Sequence, residues 1–354
     1  MAHLVYALCG HGRGHSSRAR AVAATLVGRG HRVTFAADAP AADRFEADGL
    51  GVRRVPGLRQ VLRRNRVRLV ATARENLDLT WRSPEIIAEA AAWLGEAGAD
   101  LVITDHEPFF ARAAPRAGVP VVALSHQLIL TETRPAVPLR HRLSALGTAL
   151  GIGVLAPSAP AAAIVPSFFF PPLRRGSTAT LVPPILRDDV LALRPSCGGR
   201  MLVYVNEGDG MEAMLAALAG VPADVYGLGE GPAPLGVRRK APSREGFLRD
   251  LAAARAVVAT AGFTLLSEAL HLGKPVLALP NRGFFEQAVN AHAIVALGRG
   301  EAVERDLRAA DVQGFLDRAD AYSRPPGADG IAGREQAADA VERVLGRGRQ
   351  RLAA

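Results

Sequence analysis

Apolar runs followed by glycine-rich turns recur along the chain and predict strands that lead into helices. Residues 3–8 (HLVYAL) form such a run, the turn GHGRGH follows at residues 10–15, and residues 32–37 form the next apolar run. Between them, a helix capped by Ser16 or Ser17 is predicted from apolar side chains at helical spacing, namely Ala19, Val22, Ala23 and Leu26. This order predicts the start of a doubly wound parallel sheet.

A second unit of the same kind occupies the other half of the chain. It begins at residues 200–206, and residues 257–260 (VVAT) predict a buried strand that ends in the small turn Ala261-Gly262. Thr264 is placed to cap a helix over residues 265–272, and a further strand, loop and helix follow. Helix N-termini at the carboxyl ends of parallel strands bind anions, because unpaired N–H groups and the helix dipole both point at the ligand.

Proline and glycine divide the chain into two parts. They accumulate over residues 157–195, which predicts terminal strands of the first part followed by an interdomain linker, with the boundary near residues 188–199. We therefore predict one domain at residues 1–190, a second at residues 191–333 and a final helix within residues 334–354. Two similar sheets that face each other leave a cleft between them, which is the usual position for a ligand. Within the first domain, Ser83-Pro84 predicts the start of a helix.

The charge of the chain favours anionic partners. The formal net charge is +9 and nearly all of it comes from arginine, which pairs bidentately with phosphate. Residues 53–74 are dense in arginine and predict a solvated basic helix, or alternatively a surface for an anionic acceptor or a phospholipid. Aromatic residues make up only 5% and no nucleic-acid motif is present, so a nucleic-acid partner is not expected.

Cysteine content and hydropathy bound the compartment. The two cysteines, Cys9 and Cys197, fall in different predicted domains, which favours a reducing compartment over a disulfide framework. No signal peptide is evident and no run of about 18 apolar residues exists. We expect a cytoplasmic protein, with peripheral contact at the inner face of the membrane left open.

The first glycine-rich turn departs from the dinucleotide-binding fingerprint. Glycines stand at Gly10, Gly12 and Gly14, and the third glycine of GxGxxG is missing. Asp38 does end the second predicted strand, where a ribose-binding acid would lie. The glycine spacing nevertheless disfavours an NAD enzyme.

The same turn carries two histidines that suit acid–base chemistry. A histidine such as His11 or His15, facing a cleft at a strand end, can act as a general base near neutral pH, although each could equally fill the loop. Asp105 ends another predicted strand of this half and faces the same cleft. It could orient His15 as in a His–Asp dyad, or it could cap the following helix.

Polar residues in the second unit suit a sugar nucleotide. Glu268, one turn into a helix whose N-terminus holds a phosphate, could accept hydrogen bonds from ribose hydroxyls. Glu286 and Gln287, at the start of the next helix, could bind sugar hydroxyls. The alternative is that Glu268 and Glu286 are solvated acids that complement the helix dipole.

Residues 257–290 resemble the donor-binding segment of GT-B glycosyltransferases, of the family 1 type and of the transferase that adds N-acetylglucosamine to the peptidoglycan lipid intermediate. The matching positions are Gly262, Glu268, Pro280 and Glu286-Gln287. One departure is Thr260, where many members carry a histidine that contacts the donor diphosphate. The resemblance implies an α/β fold of two Rossmann-like, doubly wound domains facing a cleft. It also implies that the helix in residues 334–354 crosses back onto the first domain.

The resemblance assigns roles to individual residues. It implies that the donor diphosphate lies at the Gly262–Thr264 helix start, that Glu268 binds ribose, and that Glu286 and Gln287 bind the sugar. The expected donor-binding residues are Thr260, Gly262, Phe263, Thr264, Glu268, Glu286, Gln287, Asn206 and Lys240. The expected acceptor-binding residues are His11, Arg13 and His126. Gly14-His15 matches the Gly-His pair whose histidine deprotonates the acceptor in many members, so His15 and Asp105 are the expected catalytic residues.

These observations predict an inverting, metal-independent glycosyltransferase. The expected partners are a nucleoside-diphosphate sugar as co-substrate and an acceptor that is a small molecule, a natural product or a lipid-linked saccharide. No cofactor and no metal are expected. The alternatives are a nucleotide-sugar 2-epimerase on the same architecture and a non-catalytic nucleotide-sugar-binding subunit.

Overall fold

Two parallel sheets dominate the computed structural model. It describes residues 1–10, 14–59, 61–63, 66–67, 69–137, 139–157, 159–205, 211–281, 283–327 and 332–353. The strands are β1 His3–Leu8, β2 Arg32–Ala37, β3 Val52–Arg54, β4 Leu62–Arg63, β5 Arg66–Val67, β6 Leu101–Asp105, β7 Val121–Leu124, β8 Ala162–Pro166, β9 Thr180–Val182, β10 Met201–Tyr204, β11 Ala223–Tyr226, β12 Val237–Arg239, β13 Ala256–Ala259, β14 Val276–Ala278 and β15 Gly300–Ala302.

Helices cover both faces of these sheets. They are α1 Gly14–Gly28, α2 Ala39–Ala47, α3 Leu69–Glu75, α4 Leu77–Glu96, α5 Pro108–Arg116, α6 Ile129–Glu132, α7 Arg142–Leu155, α8 Asp188–Leu191, α9 Met211–Ala217, α10 Arg244–Ala253, α11 Phe263–His271, α12 Phe285–Ala296, α13 Ala309–Tyr322 and α14 Gly333–Ala353. Among the described residues, no helix is both long and apolar enough to cross a membrane.

Strand order explains where a cleft forms. The first sheet runs β3-β2-β1-β6-β7-β8-β9 and the second runs β12-β11-β10-β13-β14-β15. Both are parallel, and their central strands are buried along their full length, as expected for sheets covered on both faces. The direction of winding reverses between β1 and β6, and again between β10 and β13. Ligands bind outside the carboxyl ends of the strands at such switch points. The predicted α/β fold of two doubly wound units is confirmed.

The last helix packs on the first lobe rather than on the second. Ala337, Val341 and Val344 of α14 are buried in the same apolar core as β1 and α1. At the rim of this contact, Arg29 donates to Asp339 and Glu342 at 2.7 Å each. The chain therefore crosses from the second sheet back to the first.

The two lobes also share an apolar contact at the base of the cleft. Phe285 and Val289 of α12 pack into a cluster with Leu128, Ile129 and Ile152 of the first lobe. This contact fixes the second lobe against the loop that follows β7.

Three predicted helix starts differ from the structure. The first helix begins at Gly14, so Ser16 and Ser17 lie inside it, and the Ser16 hydroxyl accepts from Arg44 Nη2 at 3.0 Å instead of capping the helix. In the second lobe, α11 begins at Phe263 with Gly262 as its N-cap. Thr264 therefore lies within the first turn and does not cap it.

Pro84 lies inside α4 and does not begin it, because the helix starts at Leu77. A proline in a helix leaves the carbonyl four residues earlier without its donor. Here the Ser83 hydroxyl donates to Thr80 O at 2.9 Å and satisfies that carbonyl. The serine that predicted a cap thus makes an interior proline tolerable.

The arginine-rich residues 53–74 do not form the single basic helix that their sequence favours. They contribute β3, the antiparallel β4–β5 hairpin and α3. Arg54 is paired with Asp43 and Glu46, and Arg53 lies 5.8 Å from the centre of the Trp93 ring. Part of this charge is therefore compensated within the fold.

Candidate active site

A cavity of about 430 Å³ lies between the two lobes, at the switch points of both sheets. The first lobe contributes the start of α1 and the turn after β7, and the second lobe contributes the ends of β10, β11 and β13 and the start of α11. The structure brings together eight of the predicted residues on its wall: His15, His126, Thr260, Gly262, Phe263, Thr264, Glu268 and Glu286.

The N-termini of α1 and α11 approach each other across this cavity. A Cβ added to Gly14 would lie only 2.5 Å from Thr264 Oγ1, so a side chain at position 14 would collide with the facing helix. No side chain caps α11, and its first turn holds no acidic residue. Its amide N–H groups and positive dipole end are therefore available to an anion in the cavity.

His15, Asp105 and Arg18 form a buried charged cluster beside this helix start. His15 Nδ1 lies 2.9 Å from Asp105 Oδ1. Arg18 donates to the other carboxylate oxygen, Oδ2, through Nε at 2.9 Å and Nη2 at 2.6 Å. The spacing of three residues puts His15 and Arg18 on one face of α1, and β6 delivers Asp105 to the same point.

Asp105 is ionised in this environment. Its complete burial alone would raise its pKa, but the guanidinium of Arg18 and, as a smaller cause, the interaction with His15 outweigh burial and hold the pKa of Asp105 well below its usual range. The alternative prediction, that Asp105 caps the next helix, is wrong. Glu107 caps α5, because its carboxylate accepts from Phe109 N at 3.0 Å and Phe110 N at 2.7 Å.

His106 follows Asp105 and was not assigned a role from the sequence. Its φ of 60° is the only left-handed backbone conformation of a residue other than glycine in the described part of the chain. Its ring is nearly parallel to that of His15, with centroids 6.3 Å apart. Burial, with the neighbouring His15 ring as a smaller cause, lowers the pKa of His106 to about 4, so its imidazole is neutral at neutral pH. Strained backbone of this kind is common at active sites.

Glu268 lines the cavity with a partner that the sequence did not reveal. Arg187, which lies between β9 and α8, donates from Nη2 to Glu268 Oε1 at 2.9 Å. Burial raises the pKa of Glu268, and the nearby guanidinium of Arg187 counters that effect. The glutamate is therefore a buried, paired group and not the solvated first-turn acid of the alternative interpretation.

Glu286 and Gln287, at the start of α12, have different surroundings. Glu286 lines the cavity. The Gln287 side-chain oxygen accepts from Asn281 N at 2.8 Å and so holds the preceding loop. A sugar-binding role for Gln287 stays a prediction. Because its oxygen already accepts from Asn281 N, its amide nitrogen would bind the sugar.

His126 is buried at the junction of the lobes. Its Nδ1 donates to Pro166 O at 2.8 Å, and its Nε2 lies 2.9 Å from Asn290 Oδ1 of the second lobe. The ring stacks on Phe263 with centroids 3.8 Å apart. Burial lowers the pKa of His126, although its hydrogen-bond partners oppose the shift. His126 lines the cavity, and its role in binding the acceptor stays a prediction.

An aromatic group that the sequence did not single out as a set closes the second-lobe end of the cavity. It consists of Tyr204, Tyr226 and Phe247, with Phe247 edge-on to both tyrosines. The Tyr226 hydroxyl donates to Asp250 Oδ2 at 2.7 Å, and Lys240 Nζ lies 3.2 Å from the same oxygen. Lys240 thus holds the network behind the aromatic rings rather than lining the cavity. The signal for the two tyrosines was their position as the last residues of parallel strands.

Three predicted site residues, His11, Arg13 and Asn206, lie outside the described residues. Within the described ranges, no group of three or more His, Cys, Asp or Glu side chains is placed to hold a metal ion.

Comparison with known proteins gives one family. The protein-family model described as "Glycosyl transferase family 1" matches residues 2–320 of this chain. No curated protein matches the chain.

Among solved structures, the calicheamicin glycosyltransferase CalG4 is 23% identical with a TM-score of 0.66, over 98% of this chain and 99% of its own. MurG from Acinetobacter baumannii is 15% identical with a TM-score of 0.61, over 97% and 100%. The glycosyltransferase VinC, solved in complex with dTDP, is 17% identical with a TM-score of 0.59, over 98% and 100%. At these identities the likenesses establish the fold alone.

Proposed function

Because this chain belongs to glycosyl transferase family 1 and is therefore a glycosyltransferase, we propose that it transfers a sugar from a nucleoside-diphosphate sugar to an acceptor nucleophile, with inversion and without a metal ion. One observation carries the proposal. His15, paired with the buried Asp105, lines the same cavity as the uncapped N-terminus of α11, on the opposite side of the cleft. A proton acceptor and an anion site then face a single space.

The donor is proposed to lie along the second lobe. Its diphosphate binds the N–H groups at the start of α11, with the hydroxyls of Thr260 and Thr264 as further donors. Its ribose binds Glu268, and its sugar binds Glu286 and Gln287. The aromatic group of Tyr204, Tyr226 and Phe247 is the place for the base, because nucleobases stack on aromatic faces.

The reaction is proposed as a single displacement. The acceptor hydroxyl gives its proton to His15 Nε2 while its oxygen bonds to the anomeric carbon, and the bond from that carbon to the diphosphate breaks. The nucleoside diphosphate leaves with the electron pair, and one displacement inverts the anomeric configuration. Asp105 stabilises the imidazolium that forms, and the amides of α11 stabilise the charge on the leaving group in place of a metal ion.

Two features support an acceptor that is a small molecule, a natural product or a lipid-linked saccharide. The cavity is lined by residues of both lobes, and one structural neighbour, CalG4, is a calicheamicin glycosyltransferase. The dTDP complex of VinC supports a nucleoside diphosphate as the donor's leaving group.

The test is a panel of nucleoside-diphosphate sugars, with and without candidate acceptors. We expect slow release of nucleoside diphosphate that rises with an acceptor, in the presence of a metal chelator, and a product of inverted anomeric configuration by NMR. Retention of configuration would contradict the inverting mechanism. Epimerised nucleotide sugar formed without an acceptor would instead identify a 2-epimerase.

A further inference from the structure

An arginine from the segment that joins the two sheets reaches the second-lobe wall of the cavity. Arg187 follows β9, the last strand of the first sheet, and immediately precedes α8, whereas Glu268 lies in α11 of the second lobe. Arg187 Nη2 donates to Glu268 Oε1 at 2.9 Å, and both residues line the cavity. The joining segment therefore supplies a partner to the glutamate that is proposed to bind ribose.

This hydrogen bond engages one of the two oxygens of the carboxylate. Among the described residues, Arg187 is the hydrogen-bond partner of the Glu268 carboxylate, and it donates to Oε1. Only 4% of the Glu268 side chain is exposed, against 19% of the Arg187 side chain. A carboxylate held through one oxygen by a guanidinium has a fixed orientation, so Oε2 is left to accept from the hydroxyls of a ligand.

The same pair sets the charge that a ligand hydroxyl would meet. Burial raises the pKa of Glu268, and the guanidinium of Arg187 is the strongest influence that lowers it. Two weaker charges act from neighbouring elements: Asp189 of α8 raises this pKa, and Arg244 at the start of α10 lowers it. Arg187 is therefore the main group that favours the ionised form of this buried carboxylate, which is the stronger hydrogen-bond acceptor.

We propose that Arg187 is a positioning residue of the donor site, which holds Oε1 of Glu268 so that Oε2 accepts from the ribose hydroxyls of the nucleoside diphosphate. This inference rests on the proposed function, in which Glu268 binds ribose. Arg187 acts through Glu268 and is given no contact with the reacting atoms. The donor site is then completed by the segment that joins the lobes and not by the second lobe alone.

A direct contact with the diphosphate is the competing role for Arg187, since a guanidinium pairs well with phosphate. The two roles depend on different parts of the ligand. A residue that acts through Glu268 matters only when the ligand carries ribose hydroxyls, whereas a phosphate-binding arginine matters for every nucleoside diphosphate. An analogue without the ribose hydroxyls keeps the base and both phosphates, so it separates the two roles.

The test measures by calorimetry how Arg187→Gln binds UDP, dTDP, ADP, GDP and CDP. The nucleotide that binds the unchanged chain most tightly is then compared with its analogue that lacks ribose hydroxyls. Affinity for the nucleotide should fall about tenfold, because the charge-assisted hydrogen bond that orients Glu268 is lost. Affinity for the analogue should equal that of the unchanged chain.

Arg334→Gln is the matched control. Arg334 pairs with Asp188 of the same joining segment and has a similar exposed fraction, 22% of its side chain. It is not among the described residues that line the cavity. This variant should therefore bind both the nucleotide and its analogue as the unchanged chain does.

The pH dependence of nucleotide affinity gives a readout that a loss of packing would not move. Affinity should fall as pH falls and Glu268 takes up a proton. Without Arg187 the pKa of Glu268 is higher still, so in Arg187→Gln this fall should occur about one pH unit higher. Arg187→Lys keeps the cation but not the planar guanidinium, so the fall should stay in place while affinity for the nucleotide drops about threefold.

An equal loss of affinity for the nucleotide and its analogue would overturn the inference, and so would an unchanged affinity of Arg187→Gln for both. If Arg187→Gln does not fold, Arg187→Lys decides by the same comparison of nucleotide and analogue. Failure of the proposed function has a different signature. If the unchanged chain binds the nucleotide and its analogue equally well, Glu268 does not bind ribose, and the donor assignment fails together with this inference.

Discussion

The two walls of the cleft satisfy their polar groups in opposite ways. On the first lobe, Arg18 donates two hydrogen bonds to Asp105, and His15 lies 2.9 Å from the same carboxylate, so these side chains are paired with one another before any ligand arrives. On the second lobe, α11 begins without a side-chain cap and presents its backbone N–H groups to the cavity. A prefolded cluster is suited to chemistry that needs fixed geometry, and an unsatisfied helix end is suited to a ligand that supplies the missing charge.

The two walls should respond differently to mutation. Changes in the first-lobe cluster should alter transfer and leave nucleotide binding nearly unchanged. Changes on the second-lobe wall should alter nucleotide binding and leave the catalytic step itself nearly unchanged.

The largest effect is expected for Asp105→Asn. The amide cannot stabilise the imidazolium, so kcat should fall about 10³-fold or more, as when the carboxylate of a catalytic His–Asp pair is removed. Donor affinity, measured by calorimetry, should stay nearly unchanged. Asp48→Asn, an exposed aspartate paired with Arg20, is the control and should keep both quantities. Transfer at the normal rate in Asp105→Asn would show that the cluster is not catalytic.

The next largest effect is expected on stability at acidic pH, where the buried His106 should destabilise the folded protein. Its pKa is lowered to about 4 in the folded protein, from an ordinary value near 6.5. The unfolded chain therefore binds the proton more readily, and the folded state loses stability as pH falls from about 6.5 to about 4. Asparagine tolerates the left-handed conformation and does not titrate there. Between pH 6.5 and pH 4, the free energy of unfolding of His106→Asn should therefore fall by roughly 2 kcal/mol less than that of the unchanged protein.

Chemical denaturation of both proteins at several pH values measures this difference. Parallel curves for the two proteins between pH 6.5 and 4 would contradict the burial of a neutral imidazole beside the charged cluster.

Glu268→Ala should weaken nucleoside diphosphate binding about tenfold, because a buried carboxylate that accepts from hydroxyls is worth about 1.5 kcal/mol. Glu301→Ala is the matched control, since Glu301 is also an arginine-paired glutamate of the second lobe but is absent from the cavity wall. A thermal-shift titration with nucleoside diphosphates reads the affinity. Equal affinity in the two variants would remove Glu268 from the donor site.

The smallest effect is expected for Thr260→His, which restores the residue that many related enzymes carry before the glycine turn. A histidine here adds a cation near the proposed diphosphate only when protonated. Nucleoside diphosphate should bind about threefold tighter at pH 6, and the gain should vanish by pH 8. A gain that persists at pH 8 would show that charge is not its source.

Sequence reasoning reached the fold and the position of the cleft because both follow from local patterns. The strand at residues 3–8 and the turn at Gly262 are readable from apolar runs and small residues. Their strand ends then place His15, Asp105 and Glu268 near one cavity. No knowledge of long-range pairing was required for that step.

The arginines that pair with Glu268 and Asp105 could not be predicted from local sequence patterns. Arg187 meets Glu268 from 81 positions away, and Arg18 meets Asp105 from 87 positions away. Many arginines in this chain could have filled either role, and periodicity does not distinguish among them. The start of α4 was missed for a local reason, since Ser83 satisfies the carbonyl that Pro84 leaves unpaired.

The most direct test of the central claim is a paired measurement on His15→Ala. We expect this variant to bind nucleoside diphosphate with unchanged affinity, because the proposed donor site lies on the other wall, and its rate of transfer to fall about 10³-fold. Normal transfer by His15→Ala, or a loss of nucleotide binding that accounts for its inactivity, would contradict the division of the cleft into a catalytic wall and a donor wall.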